Sequence, residues 1–253
     1  MPASGKRVFL SVFILLGVLC VQTARGGDLA VIDAMLRQGK ARQSLQALRQ
    51  CLDGADGTDA ATLWRMAQAQ YELGRTSKTP EERAAYLNRA EVSANQAIEA
   101  APQSDEGYKW LAIALGAQAE DASVKRQVLL SRRVRENIQK ALDRDPDDDI
   151  SLLVLSRWHY KVASLGFWAR TVVRLVYGGL PKASFEKAEA LLLQAIANQD
   201  RIAHRYNLAK VYYRMGRREA ALEQLRKALT LPVTFPEEAE DIGKARRKLQ
   251  RWQ

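Results

Sequence analysis

Between Tyr206 and Leu229 apolar and small residues return every three or four positions, the spacing that places them on one face of an α-helix. The run from Tyr206 to Met215 meets Gly216 and is followed by a second run from Arg217 to Leu229, which predicts two helices joined at the glycine. Ala209, Ala221 and Ala228 fall where the two helices touch, because helix axes approach closely only over small side chains. Gly216 ends the first helix at low steric cost. The same arrangement returns upstream in weaker form. Ala67 and Gly74 keep the spacing of Ala209 and Gly216, and Ala90 and Ala97 keep that of Ala221 and Ala228. Pro102 follows Ala97 by five residues, as Pro146 follows Ala141, and each proline stops a helix before the next hairpin. A further copy runs from Leu152 to Tyr160 and resumes at Phe185, with Ala188 and Ala195 seven apart. Residues 28–51 read as a degenerate first hairpin. Residues 236–252 read as a capping helix whose polar outer face would comprise Glu237, Glu238, Glu240, Asp241, Arg246, Arg247, Lys248 and Arg251. The predicted hairpins lie near 28–53, 58–101, 105–145, 150–200 and 202–231, within one domain spanning 27–253.

The 206–229 segment closely resembles the tetratricopeptide repeat, with tyrosine, glycine and alanine at the repeat's offsets. That resemblance implies an all-α fold, a right-handed α-solenoid of helix-turn-helix hairpins. Repeat lengths are uneven: Ala97 to Ala141 is 44 residues, Ala141 to Ala195 is 54, and Ala195 to Ala228 is 33. The surplus over the usual period of about 34 is expected as long insertions inside hairpins, at 75–82, 118–126 and 166–184. These insertions, together with Trp110-Leu111-Ala112 and Trp158-His159-Tyr160, resemble the regulator of microtubule dynamics family of tetratricopeptide-like proteins. So does the order Tyr160, Phe167-Trp168, a basic and apolar stretch to Tyr177, Pro181 and Ser184-Phe185-Glu186-Lys187-Ala188. The likeness covers most of residues 28–253. It implies links to microtubules and to organelle membrane contacts, with lipid binding proposed for some members.

Lys6 and Arg7, an apolar run from Val8 to Val21 and the small residues Ala24 and Gly26 give the pattern of a secretory signal peptide spanning 1–26. An exported, periplasmic or secreted chain is therefore expected, with an uncleaved membrane anchor as the alternative. The apolar run falls short of the roughly 20 residues that span a bilayer, and Leu19 before Cys20 argues against lipidation. Export sits poorly with a microtubule role, so the resemblance carries the fold further than the activity. Removal of 1–26 would leave Cys51 as the one cysteine, expected as a buried structural thiol beside Leu45 and Leu48. It would also leave 36 of the 39 basic residues against 29 acidic ones, a formal charge of +7. That excess is too modest to indicate a nucleic-acid partner. A charged fraction of 27% with 47% hydrophobic residues excludes intrinsic disorder, and 15 Gly with 7 Pro are too few to punctuate a barrel or sandwich.

The first helices of stacked hairpins line a concave groove. In the last hairpin Tyr206, Asn207, Lys210, Tyr213 and Arg214 share one helical face, and in the hairpin before it Arg157, Tyr160 and Lys161 hold the offsets of Lys210, Tyr213 and Arg214. Basic pairs beside tyrosines in adjacent repeats suit an anionic ligand, through charge-assisted hydrogen bonds and flat contact area. Asn207, Lys210 and Arg214 resemble in part the clamp by which some tetratricopeptide domains hold a peptide carboxylate. The competing reading is an ordinary solvated helix face with tyrosines packing between repeats. Trp110, Leu111, Ala112 and Leu115 suggest an apolar stretch mid-groove. A protein or peptide with an acidic segment is thus the expected partner, and a phospholipid or other amphiphile, or a membrane surface, the alternative.

The 166–184 insertion is expected to pack across the solenoid as an extension of the core. Its alternative is a lid or membrane-surface segment carrying Phe167, Trp168, Arg170, Arg174 and Tyr177. The chain lacks a glycine-rich phosphate loop, paired-cysteine metal spacing and a His-Glu-x-x-His motif. His159 and His204 stand apart and are expected at the surface or in the groove. A non-catalytic binding module without cofactor or metal is the reading that remains.

Overall fold

The computed structural model describes residues 29–53 and 59–253, so the leader expected at 1–26 lies outside the described residues. Every element in it is a helix. The hairpins pair α1 (Leu29–Arg37) with α2 (Ala41–Asp53), α3 (Ala60–Thr76) with α4 (Pro80–Ala100), and α5 (Glu106–Gln118) with α6 (Val124–Leu142). In the fourth, α7 (Asp149–Ala163) pairs with α9 (Phe185–Asn198), and α8 (Phe167–Tyr177) occupies the connection between them. The fifth pairs α10 (Ile202–Arg214) with α11 (Arg218–Thr230), and α12 (Pro236–Trp252) ends the chain. The architecture is a right-handed all-α solenoid of tetratricopeptide-like hairpins.

Local chemistry sets the helix ends. Asp59 accepts from Thr62 N at 2.9 Å, Asp148 from Ser151 N at 2.7 Å and Ser184 from Lys187 N at 3.2 Å, each satisfying a first-turn donor. Thr79 caps α4 with Pro80 in the first turn, where a missing N–H costs nothing. The extra residues at 75–82 mostly lengthen α3 and α4, leaving Ser77–Thr79 as the connection. The small residues lie in the core: Ala67, Ala90, Ala141, Ala188, Ala195, Ala209, Ala221 and Ala228 are all fully buried. At Gly107 a Cβ would stand 2.8 Å from Ile98 Cγ1 and 3.0 Å from its backbone N, so the α4 and α5 backbones meet with no room for a methyl group. The central core gathers Leu111, Leu115, Ile138, Leu152, Leu155 and Trp158. The indole of Trp158 donates to Ser131 O and Oγ, both at 2.9 Å, which removes the cost of burying its N–H.

Three expectations are corrected here. Cys51 is half-buried, at the margin of the Leu45 and Leu48 cluster. The capping helix does not turn all its charges to solvent: α12 lies along α10 and α11, so its 238, 241, 245 and 252 positions face inward and bury Glu238 and Asp241. Glu238 is satisfied there by Thr234 N at 2.7 Å and Phe235 N at 3.0 Å. Finally, α8 is no extension of the core, since only Val173 among its residues is buried.

The N-terminal half of α12 also reaches the far end of the solenoid. A Cβ on Gly39 would meet Pro236 Cγ at 3.0 Å, and Arg75 pairs with Glu240 at 3.8 Å. The last helix thus touches both α3 and the turn between α1 and α2.

Candidate binding groove

Along one side of the solenoid α3 packs on α5, α5 on α7, α7 on α10 and α10 on α12, so the first helix of each hairpin supplies the concave wall. Lys210 projects from α10 towards α7. Its Nζ lies 4.8 Å from the ring centroid of Tyr160 on α7 and 5.5 Å from that of Tyr206, held by the electron-rich faces of both. Asn207, one turn back, accepts from Nζ at 3.2 Å and donates its own amide to Ala203 O at 2.8 Å. Burial, with Arg157 and Lys248 beside it, pushes the Lys210 ammonium down to about 8, and Asp241 only partly opposes this. Lys161 pairs with Glu120 at 3.8 Å, while among the described residues Arg157, Lys210 and Arg214 form no ion pair.

The predicted groove residues divide under this geometry. Arg157, Tyr160, Lys161 and Lys210 converge, with the charge of Arg157 bearing also on Tyr71 and Tyr206. Tyr206 and Asn207 are largely buried, Tyr206 keeping an edge on the pocket beside α12. Tyr213 stacks on Trp252 of α12 at 3.9 Å and 8°, so one ring face is already covered. Arg214 lies over the ring of Phe185 at 5.7 Å, and Tyr160 meets that ring edge-on at 5.8 Å. Leu111, Ala112 and Leu115 face the core, which corrects their placement in the groove. Trp110 stays half-buried, 6.1 Å from Tyr71, whose phenol burial pushes up to about 12.

Two contributors escape a reading of the sequence. Tyr71 lies outside the clearest repeats, and α12 has the pattern of a solvated cap. Lys244, Lys248 and Arg251 recur at four and three residues, a spacing that could have announced a basic face. With Tyr206 and Arg247 they line a pocket of about 430 Å³. The insertion forms no lid over this groove. Its helix α8 packs on α6, a second helix, where Arg132 donates to the carbonyls of Tyr177 and Gly179. Phe167 and Trp168 meet edge-on at 5.6 Å, Arg170 donates to Ala163 O and Leu165 O at 3.2 Å, and Arg174 is exposed.

Both histidines are buried, contrary to expectation. Burial, then Lys187 and Arg135, lowers His159 to about 4, which keeps it neutral at physiological pH. Burial likewise lowers His204, whose Nδ1 lies 2.8 Å from Gln199 O beside the Arg201 and Asp149 pair. Asp105, Asp145 and Asp148 cluster at the starts of α5 and α7, where the ammonium of Lys109 sits 3.5 Å from Asp105 and 3.1 Å from Asp148. A lysine therefore already provides positive charge there.

Stacked helical hairpins place the chain among the tetratricopeptide-like proteins. The structure of a thermophilic tetratricopeptide-repeat protein of Thermus thermophilus has the same fold, with a TM-score of 0.61 over 88% of this chain and 96% of that one at 22% identity. The chain belongs to the family of regulator of microtubule dynamics proteins 1–3, whose family model matches residues 28–253. It is 27% identical to regulator of microtubule dynamics protein 3 of Xenopus laevis over 70% of this chain and 39% of that one. It is 28% identical to protein 1 of Caenorhabditis elegans over 75% and 84%, and 26% identical to protein 1 of Mus musculus over 63% and 52%. The matches thus span well under two thirds of the frog and mouse proteins.

These relatives correct the expectation of export. They are animal proteins named for microtubules, which a periplasm lacks, so the periplasmic or secreted assignment does not stand.

Proposed function

We propose that the protein is a non-catalytic scaffold that captures an acidic segment of a partner protein in its concave groove. The observation that carries this is Lys210: a half-buried ammonium hydrogen-bonded to an amide, with its proton affinity lowered first by loss of solvent and then by the neighbouring cations Arg157, Lys248 and Lys161. A carboxylate entering between Tyr160 and Tyr206 would relieve that repulsion and form charge-assisted hydrogen bonds. The tyrosine faces would add contact area at small entropic cost. The amphiphile alternative has less support, because the pocket beside Tyr206 is otherwise lined by Lys244, Arg247, Lys248 and Arg251 and offers no aliphatic wall to an acyl chain.

The test is the affinity of a fluorescent glutamate-rich peptide for the full chain and for Arg157→Ala combined with Lys210→Ala. The double variant should bind at least about tenfold more weakly while its thermal melt is no lower than that of the parent. Equal affinity would sink the groove reading.

A further inference from the structure

Helix α12 carries a second set of cations beside the groove. Lys244, Arg247, Lys248 and Arg251 fall within an arc of about 100° on one helical face. With Tyr206 of α10 they line the pocket of about 430 Å³. Lys244 is already held by Glu240 at 2.8 Å and Asp241 at 3.4 Å. Among the described residues Arg247, Lys248 and Arg251 form no ion pair, and no carboxylate lines the pocket. On an ordinary solvated helix face basic residues alternate with acidic ones. From Ile242 to Gln253 the chain has five basic residues and neither Asp nor Glu. The Lys248 ammonium stands 4.8 Å from the ring centroid of Trp252, and burial, then Arg251, lowers its proton affinity.

This concentration of charge asks for more than a carboxylate. A carboxylate brings a single negative charge, whereas a phosphomonoester brings roughly two and three strong acceptor oxygens, enough to engage two guanidinium groups and an ammonium at once. The pocket also adjoins the groove. Tyr206 lines it and meets the Lys210 ammonium at 5.5 Å, and the charge of Lys248 bears on Lys210. A segment lying against Lys210 would therefore bring a neighbouring side chain to the pocket. The lining has no aliphatic wall for an acyl chain, so a phosphorylated side chain matches it and a lipid does not.

We infer that the α12 pocket receives a phosphorylated side chain of the segment bound in the groove, with Arg247, Lys248 and Arg251 holding the phosphate oxygens. The site deepens the groove reading, on which it rests, by naming the partner's chemistry: an acidic segment that carries a phosphate.

The experiment follows the anisotropy of one labelled glutamate-rich peptide mixed with the full chain, the peptide carrying serine, glutamate or phosphoserine at its centre. The phosphoserine form should bind about tenfold more tightly than the serine form, and the glutamate form about twofold more tightly. Arg247 and Arg251 are exposed, so Arg247→Gln with Arg251→Gln should keep the fold and bring the phosphoserine form down to the level of the serine form. Arg157→Ala with Lys210→Ala should weaken all three forms and keep their ratios. Equal binding of the serine and phosphoserine forms by the parent, or an undiminished preference in the glutamine variant, would overturn the phosphate site and leave the groove reading standing. Phosphoserine binding that Arg157→Ala with Lys210→Ala does not weaken would sink the groove reading instead. Free phosphoserine or phosphatidic-acid vesicles that displace the labelled peptide as well as unlabelled phosphopeptide does, at equal phosphate concentration, would show that the phosphate's carrier is not a protein segment and overturn the proposal too.

Discussion

Lys210 combines burial with a surplus of like charge, and that combination can be read in solution. Its folded-state proton affinity is lowered from 10.5 to about 8. Between those values the unfolded chain holds the proton and the folded chain does not, so the stability contribution rises with pH across that window. Below about pH 8 the buried charge destabilises the fold. Lys210→Met should therefore be more stable than the parent by about 1–2 kcal/mol near pH 7, with the gain disappearing above about pH 10. Thermal melts across that range check both the sign and the window. Binding should run the other way: affinity for a glutamate-rich peptide should fall about tenfold between about pH 7 and about pH 9 as the ammonium loses its proton. Association near pH 8 should be accompanied by proton uptake, measurable by calorimetry in buffers of different ionisation heat. Much of this site is legible in the sequence, since Arg157, Tyr160, Lys161 and Lys210 align by helical offset alone. Offsets within one hairpin do not say how far a face turns towards its neighbour, which is why they place Tyr206 and Asn207 in solvent although both are buried.

Helix contacts are legible for a different reason: an alanine at a crossing leaves a spacing that no loop can mimic. Ala221 and Ala228 are fully buried, and Ala228→Arg should disrupt the α10 and α11 hairpin by overpacking and by burying a charge, costing about 3 kcal/mol or more. A melting curve like that of the parent would show that Ala228 is not at a crossing. Gly107 is a parallel case without a pattern to betray it. Gly107→Ala should destabilise by about 1–3 kcal/mol because Ile98 and its backbone cannot both withdraw. Helix α8 departs from expectation because its partner, α6, is not its neighbour in the chain, and α12 because it packs on α10 as well as on its neighbour α11. Periodicity shows that a face is apolar or charged, but not what covers it. For α12 the cover is α10 and α11; for α8 the chain itself supplies only α6.

In an ordinary solenoid each hairpin meets only the hairpins before and after it, so the ends are free and stability is close to a sum of neighbouring terms. This chain departs from that arrangement through α12, whose 17 residues extend about 25 Å. Its carboxyl end is anchored where Arg218 donates to Trp252 O and Gln253 O, and its amino end meets Gly39 and Arg75. Gly39 has φ near 74°, and an added Cβ would press on Pro236, so Gly39→Ala strains the turn and the junction together. We expect it to cost about 1–2 kcal/mol and to raise amide exchange in both α1 and α12, although some 200 residues separate them in the chain. Exchange confined to α1 would show that the junction carries no energy. A row of hairpins closed into a loop has no end from which to fray, so its first and last turns should melt in one concerted step instead of unravelling in sequence.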